Sequence, residues 1–285
     1  MTFRRASSLV TVLAAFLLGA AVPAAAESGT PQAPDRPLRV LCFNIHHGVG
    51  TDDRLDLERI ARLVEEQDAE VLGLQEVDRH FGARSDFVDQ AGWLARRLQM
   101  HVVYGANLSF DPLQPDAPRR EYGTAWLSRH PIHEWSNTFL PKRETSEQRG
   151  LLYAKVTVRG VPVRLYNTHL QHTSATERLA QVAKIRELIG TPDESVILVG
   201  DLNATPEAPE ILEVTRDLVD TWVEAGVGPG YTYGAEHPTK RIDYVLSSED
   251  VVARTAAVLS SDASDHLPVL VDVALPGTKV GAALG

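Results

Sequence analysis

The sequence predicts an α/β protein built from mixed sheets, on two observations. Short apolar runs of strand length alternate with segments whose apolar residues recur at helical spacing, and two of the runs are joined only by Arg159-Gly160, a hairpin signature. Strand–helix–strand units interleaved with hairpins exclude a purely parallel doubly wound sheet. The composition, 44% hydrophobic and 23% charged over 285 residues with a single Cys, fits one globular domain. It excludes disorder, collagen, coiled coil and a disulfide scaffold.

Residues 1–26 read as a secretory signal peptide: Arg4 and Arg5, an apolar run over 9–22, then Ala24-Ala25-Ala26 as a small-residue cleavage site. The run falls short of the roughly 20 residues needed to cross a bilayer. The expectation is therefore a secreted protein with no span left after cleavage, exported by the general or the twin-arginine route. Residues 27–37 read as a flexible leader, 38–274 as the domain and 275–285 as a flexible tail.

Within the domain, 38–43 is a strand, Leu57, Ile60, Ala61 and Val64 mark a helix, and 71–74 is the next strand. Residues 88–98 read as helix, 101–104 as extended and 124–127 as a short strand. The hairpin pairs 152–158 with 161–166. Ser174-x-x-Glu177 is a capping box opening a helix through Ile189, with Leu179, Val182, Ala183, Arg186 and Ile189 along one side. Strands at 196–199, 242–246, 251–258 and 267–273 complete the set. Trp93 and Trp126 are expected in the core. The polar loops 107–120, 141–150 and 225–240 are the candidates to line a site.

One design recurs: an apolar strand ending in a polar side chain. Asn44 follows LRVLCF, Glu76 follows VLGLQ, His169 follows VRLYNT, Asp201 and Asn203 follow VILVG, and Asp265-His266 precedes LPVLVDV. Any one of these alone reads as a cap or turn residue. Together they place complementary groups on a sheet rim, where ligands bind. Glu76 and Asn44 offer hard oxygen ligands suited to Mg²⁺, Mn²⁺ or Ca²⁺. Gly200 removes a side chain where backbone would approach a substrate. Asp201 and Asn203, two apart, would share one side of an extended chain and could hold and deprotonate a water. His169 and His266 are donors for charge developing on a substrate oxygen. Such a set suits metal-assisted hydrolysis of a charged ester.

The motifs FNIHHG (43–48), LQEVD (74–78), YGTAWLSRHPI (122–132), NTHLQH (167–172), GDLNATP (200–206), RIDYVL (241–246) and SDHLPV (264–269) occur in that order. The chain thereby resembles the endonuclease/exonuclease/phosphatase superfamily, metal-dependent phosphoesterases that include pancreatic-type deoxyribonuclease and neutral sphingomyelinase. The resemblance implies a four-layer α/β sandwich with two packed mixed sheets. It implies metal ligation by Glu76, Asn44 and Asp265, a water-orienting pair Asp201 and Asn203, a dyad in which Asp243 orients His266 toward the phosphate, and His169 as phosphate contact or proton donor.

Weaker candidates keep two readings each. His46 is a neighbour of metal or substrate on the same extended face as Asn44, or a polar loop residue. Arg149 is a phosphate clamp or one half of a surface pair. Tyr122 binds phosphate or packs at the rim. Arg241 supports the Asp243 loop. His172 reads as a solvated turn residue in preference to half of a zinc pair.

The expected partner is a phosphate ester, with phospholipid head groups or small phosphodiesters favoured, and the expected state is a monomer. No aromatic hairpin suited to membrane insertion is evident. Nuclease activity is the alternative; the formal charge of −10 disfavours nucleic acid, although Arg119-Arg120 and Lys142-Arg143 fall in candidate loops. A non-catalytic binding module is a further alternative. The presence of Glu76, Asp201, Asn203, Asp243 and His266 together argues against it.

Overall fold

The first strand, β1 (Arg36–Asn44), sends Leu38, Val40 and Cys42 to one face and Leu41 and Phe43 to the other, and all five are fully buried. A strand apolar on both faces must be covered on both. In the computed structural model, which describes Thr2 and residues 36–277, that is what happens. The expected signal peptide, apart from Thr2, lies outside the described residues, as do most of the leader and tail. The domain itself extends beyond 38–274 at both ends, since β1 starts at Arg36 and the last strand, β12 (Val269–Leu275), pairs with it from Arg36↔Leu275 onward.

β1 pairs in parallel with β2 (Val71–Arg79) across helix α1 (Leu57–Gln67). With β3 (His101–Phe110), β4 (Arg120–Ser128) and β11 (Val252–Val258), these form a six-stranded sheet of order β11-β12-β1-β2-β4-β3. The second six-stranded sheet comprises β5 (Ile132–Phe139), β6 (Gly150–Val158), β7 (Val161–His169), β8 (Ser195–Asp201), β9 (Val219–Asp220) and β10 (Asp243–Ser247), in the order β5-β6-β7-β8-β10-β9. Its parallel pair, β7 and β8, is connected through α3 (Ala175–Ile189). The sheets pack face to face over Val40, Trp126, Leu152, Val163, Val199 and their neighbours. α1 and α2 (Gln90–Leu98) cover the outer face of the first sheet, and α3 with α4 (Pro209–Val214) covers that of the second. The result is the four-layer α/β sandwich with two mixed sheets. A short α5 (Thr221–Ala225) packs beside β10 and β11.

Local chemistry explains the boundaries. The Asp56 carboxylate accepts from the N–H groups of Glu58 and Arg59 and starts α1; Asp89 accepts from Gly92 and starts α2 at Gln90, not at 88. At the β6–β7 hairpin Arg159 and Gly160 both have positive φ, 48° and 83°, the geometry that matches strand twist. Ser174 caps α3 as expected, but Glu177 completes only half of the box. Its carboxylate turns to the Arg143 N–H and guanidinium and to Ser146. The buried face of α3 also differs from the expected one: Leu179 is exposed, while Gln181, Val182, Ile185 and Ile189 face inward. Trp126 is fully buried, whereas Trp93 is only partly buried against the α1–α2 layer. β5, not expected from the sequence, is an edge strand; with one neighbour and an open face it needs little apolar patterning, and Trp135 on it is 55% exposed.

Gly200 has a different reason from the expected one. A Cβ there would stand 2.3 Å from the Thr168 carbonyl oxygen on β7, so the close approach is between strands, not to a substrate. Gly200→Ala is expected to cost about 1–3 kcal/mol through overpacking, read as a lowered melting temperature.

Strand direction then gathers the polar ends. Asn44 lies beside Gln75, His169 beside Asp201, and Asp243 opposite Asp201. The β12 register puts Asp265 and His266 at the same edge.

Candidate active site

Glu76 owes its direction to a break in β2. Regular alternation would put it on the side of Leu72 and Leu74, under the helices. The β2–β4 register instead shifts between Leu74 and Val77, and Glu76 takes φ 56°, a left-handed backbone that costs on the order of 1 kcal/mol in a non-glycine residue. The bulge is held from the opposite sheet. The Asn167 amide on β7 donates to the carbonyls of Leu74 (2.9 Å) and Ala125 (2.8 Å), and its oxygen accepts from Gln75 Nε2 at 2.7 Å. Gln75 also donates to the Gly73 carbonyl. Both amides are fully buried. Asn167 was not among the expected site residues; an asparagine inside an otherwise apolar strand was the available signal, because a buried amide must find partners. Asn167→Leu orphans these groups and is expected to cost about 2–4 kcal/mol. Thermal melting and a Mn²⁺ titration check it, the second because a loosened bulge misdirects Glu76.

Asn44 is the hub of the site. Its Nδ2 lies 3.2 Å from Glu76 Oε1, 3.0 Å from Asp201 Oδ2 and 3.5 Å from His266 Nε2. Its Oδ1 accepts from the His46 N–H, and its carbonyl accepts from Ser264 Oγ, which in turn accepts from the His266 N–H. Asp201 Oδ2 also lies 3.4 Å from His169 Nε2 and 3.7 Å from His266 Nε2. The expected dyad is present, with His266 Nδ1 2.8 Å from Asp243 Oδ2. Asn44, Asp201, His169, His266 and Asp243 are all buried, whereas Glu76 is half-buried.

Two expectations about Asp201 and its neighbours change. Asn203 does not share an extended face with Asp201. At φ 51° it turns, gives its backbone N–H to Asp201 Oδ1 at 3.0 Å, and spends its side-chain amide on the Leu170 carbonyl. Similarly, His46 is not extended beyond Asn44 but begins a 3₁₀ turn (His46–Gly48).

That turn brings in His47, which the sequence reading did not select. Ligand atoms of His46, His47 and Glu76 lie within 4.8 Å of one another. His47 Nδ1 is buried without a hydrogen-bond partner, and no cation among the described residues pairs with Glu76. A carboxylate and imidazoles with uncommitted atoms, beside the Asn44 amide, form a donor set that fits a divalent ion. Asp265 stands outside this group. It is half-buried and stands 3.9 Å from His46 Nδ1.

Electrostatics divide the two buried histidines. Burial, then the charges of Arg149 and His266, drives His169 well below the usual imidazole range, so it is neutral. Burial would lower His266 too, but the charge and hydrogen bond of Asp243, with Asp201 and Asp265 behind, overcome it and raise the group to about 10. Burial, then Asp243, pushes Asp201 up to about 7, against the opposing pull of His266 and Asn44.

At the rim, Arg149 is buried, not a surface pair: it contacts Glu147 at 2.9 Å, and its Nε has no hydrogen-bond partner. Tyr122 is buried, on the strand that flanks the Glu76 bulge. Arg241 pairs with Asp220 at 2.8 Å and stacks on Tyr244, holding β10 from behind. His172 is exposed. From the expected loop 225–240 comes Tyr233, its ring centroid 4.9 Å from that of His266.

A two-sheet sandwich that converges these groups on one edge defines a phosphoric ester hydrolase. The chain belongs to the endonuclease/exonuclease/phosphatase family, which its sequence matches over residues 41–266 and whose members are metal-dependent. A Beutenbergia cavernae protein described as an endonuclease/exonuclease/phosphatase is 28% identical, with 85% of this chain and 72% of that one covered and a TM-score of 0.74. The Bacteroides thetaiotaomicron mannosyl-6-phosphatase shares the fold at 18% identity, 83% and 99% coverage and a TM-score of 0.67. So does TDP2 from C. elegans, at 23% identity, 84% and 75% coverage and a TM-score of 0.61. No curated protein matches the sequence.

Proposed function

We propose that the chain is a secreted, divalent-metal-dependent phosphodiesterase that cleaves a phospholipid head group or a small phosphodiester by in-line attack of water. The observation that carries this reading is the Asn44 hub, where one amide nitrogen touches both the half-buried Glu76 and the buried Asp201. Glu76 and Asn44, with His46 and His47 adjoining, would hold the ion, Mg²⁺ with Mn²⁺ or Ca²⁺ as substitutes, and when bound it neutralises phosphate charge as a Lewis acid. Asp201 takes the proton of the attacking water. Its Oδ1 accepts from the Asn203 N–H and its Oδ2 from the Asn44 amide, and the remaining lone pair of Oδ2 takes the proton; a group poised near 7 suits a base at neutral pH. His266, held as an imidazolium by Asp243, donates from Nε2 to a phosphoryl oxygen. Neutral His169 donates to the phosphate or to the leaving oxygen, with Arg149 behind it.

The test is turnover by the full chain of a chromogenic diester, a monoester, plasmid DNA and choline phospholipids, with Mg²⁺ and with EDTA, beside Asp201→Ala. Turnover of a diester that EDTA and the variant both abolish supports the reading. Silence on every ester with metal bound overturns it, and nicking of plasmid alone replaces it with a nuclease. Residues 1–26 are taken as a cleaved signal peptide; an exported protein beginning near Glu27 by N-terminal sequencing supports that, and an intact Met1 end overturns it.

A further inference from the structure

Beside Glu76 the structure carries an aromatic wall that the reaction above does not use. Tyr122 lies on β4 across the bulge from Glu76, with Asp78↔Tyr122 and Val77↔Gly123 as the flanking pairs. Phe81 stands next to it, 5.8 Å between ring centroids, and Phe110 lies 5.9 Å from Phe81 on its other side. The guanidinium of Arg84 stacks 4.4 Å from the Phe81 ring and 5.4 Å from that of Tyr122, and Arg120 stands 5.7 Å over Phe110. The wall thus runs from the Glu76 rim to the tip of the β3–β4 hairpin, where Phe110 is 43% exposed and Leu113 61% exposed. The tip lies in the loop 107–120, one of the candidates to line a site.

The wall is held rigid from beneath. Asp78 is fully buried and takes Arg84 in a two-point pair at 2.9 and 2.7 Å, and Ser85 Oγ donates to the same carboxylate at 2.7 Å. The surrounding charge is largely spent. Arg84 is matched by Asp78, Arg79 by Glu121, and Arg119 by Asp111, while Arg120, bonded to the Asp111 carbonyl, is the one arginine of the four without a carboxylate partner among the described residues. A surface that tracks a nucleic-acid backbone needs uncommitted cations along its length. This one offers the half-buried Phe81 and exposed Phe110 rings, backed by the buried Tyr122 and the Arg84 guanidinium, with a single unmatched arginine, which suits stacking on a single planar group.

We propose that Phe81, Phe110 and Tyr122, with Arg84 stacked against them, form a substrate subsite for a planar ring carried by one ester arm of the phosphodiester. The subsite selects ring-bearing small diesters over esters with plain alkyl arms. This rests on the phosphodiesterase reading above, with Glu76 marking where the phosphate lies.

The experiment uses three diesters that share a p-nitrophenyl leaving group and differ in the other arm: methyl, benzyl and thymidine 5′. The full chain is assayed with Mn²⁺, and kcat/KM for each ring-bearing ester is divided by that for the methyl ester. A ratio of at least about fivefold in the wild type is expected, falling toward unity in Phe81→Leu and, should that variant fail to fold, in Phe110→Ser at the exposed hairpin tip. Trp135→Ala, an exposed aromatic on β5, should leave the ratio where it was. A preference for the thymidine ester alone identifies the ring as a nucleobase, and preference for both ring-bearing esters a ring of any source. A wild-type ratio near one, or a ratio unmoved by both wall variants, overturns the subsite while leaving the phosphodiesterase reading intact. Absence of metal-dependent turnover on all three esters overturns the phosphodiesterase reading itself.

Discussion

Asp201→Asn is expected to lower kcat by about 10²–10⁴-fold and at the same time to raise the melting temperature of the metal-free protein. The carboxylate is fully engaged: Asn44 and the Asn203 N–H bond it, and His169 and His266 stand within 4 Å. Burial, then the charge of Asp243, nevertheless lifts it to about 7 from 3.8. A folded-state value above the unfolded one means that the native protein holds this proton more tightly. Ionising Asp201 therefore costs stability, by an amount that grows as pH rises from about 4 to about 7 and is absent below that window. Asparagine has the same shape and carries no charge, but it can accept only at one atom where the carboxylate accepts at two. With that loss subtracted, a gain of roughly 1–2 kcal/mol remains at pH 8, or about 2–8 °C. Melts in EDTA at pH 8 and pH 4.5 check the sign: the gain should shrink toward the acid side. A variant less stable at pH 8 would mean that the carboxylate is a structural anchor and not a primed base. Asn203→Ala should lose much less activity, because its contact with Asp201 is made by the backbone, which alanine keeps.

Which parts of this site could be read from the sequence depends on how far each contact reaches. Asn44, Asp201, His169 and His266 stand where an apolar run stops. Parallel and antiparallel pairing then brings such ends to one edge, so a local pattern was enough to find them. Glu76 was legible as a residue but not as a direction, because its aim depends on a bulge against β4 that an amide from the other sheet holds open. His47 and the turned conformation of His46 follow from positive φ values that the FNIHHG letters do not announce. Tyr233 meets His266 through an isolated backbone bridge between two loops, with no periodicity to betray it. α3 illustrates the opposite error. Its apolar spacing suggested a face through Leu179, yet the helix buries Gln181 because that side chain serves the Gln171 N–H and the Pro141 carbonyl. The layers of the sandwich were legible because hydrophobic burial is additive along a strand, and the exact aim of each polar group was not, because it is set by one or two distant partners.

Asp243→Asn is expected to cost about 10²–10³-fold in kcat, the scale for losing a preorganised donor to developing charge. Burial alone would strip the proton from His266; the Asp243 charge and hydrogen bond, helped by Asp201 and Asp265, hold it on up to about 10. Since the folded-state value lies above the unfolded 6.5, the stability this dyad contributes is present in full below about 6.5 and fades as pH rises through about 10. The melting temperatures of wild type and variant should accordingly differ most near pH 6 and converge near pH 10, measured in EDTA. Activity carries a second signature. Asp243 raises Asp201 as well as His266, so its removal should move both limbs of the pH–rate profile toward acid, the alkaline limb through His266 and the acid limb through Asp201. His266→Gln separates the two effects. It removes a charge that lowers Asp201, and its acid limb should therefore move toward alkali. Opposite displacements of the acid limb in the two variants would place the aspartates and His266 in one coupled titrating unit; displacement of the acid limb in the same direction in both variants would break that coupling.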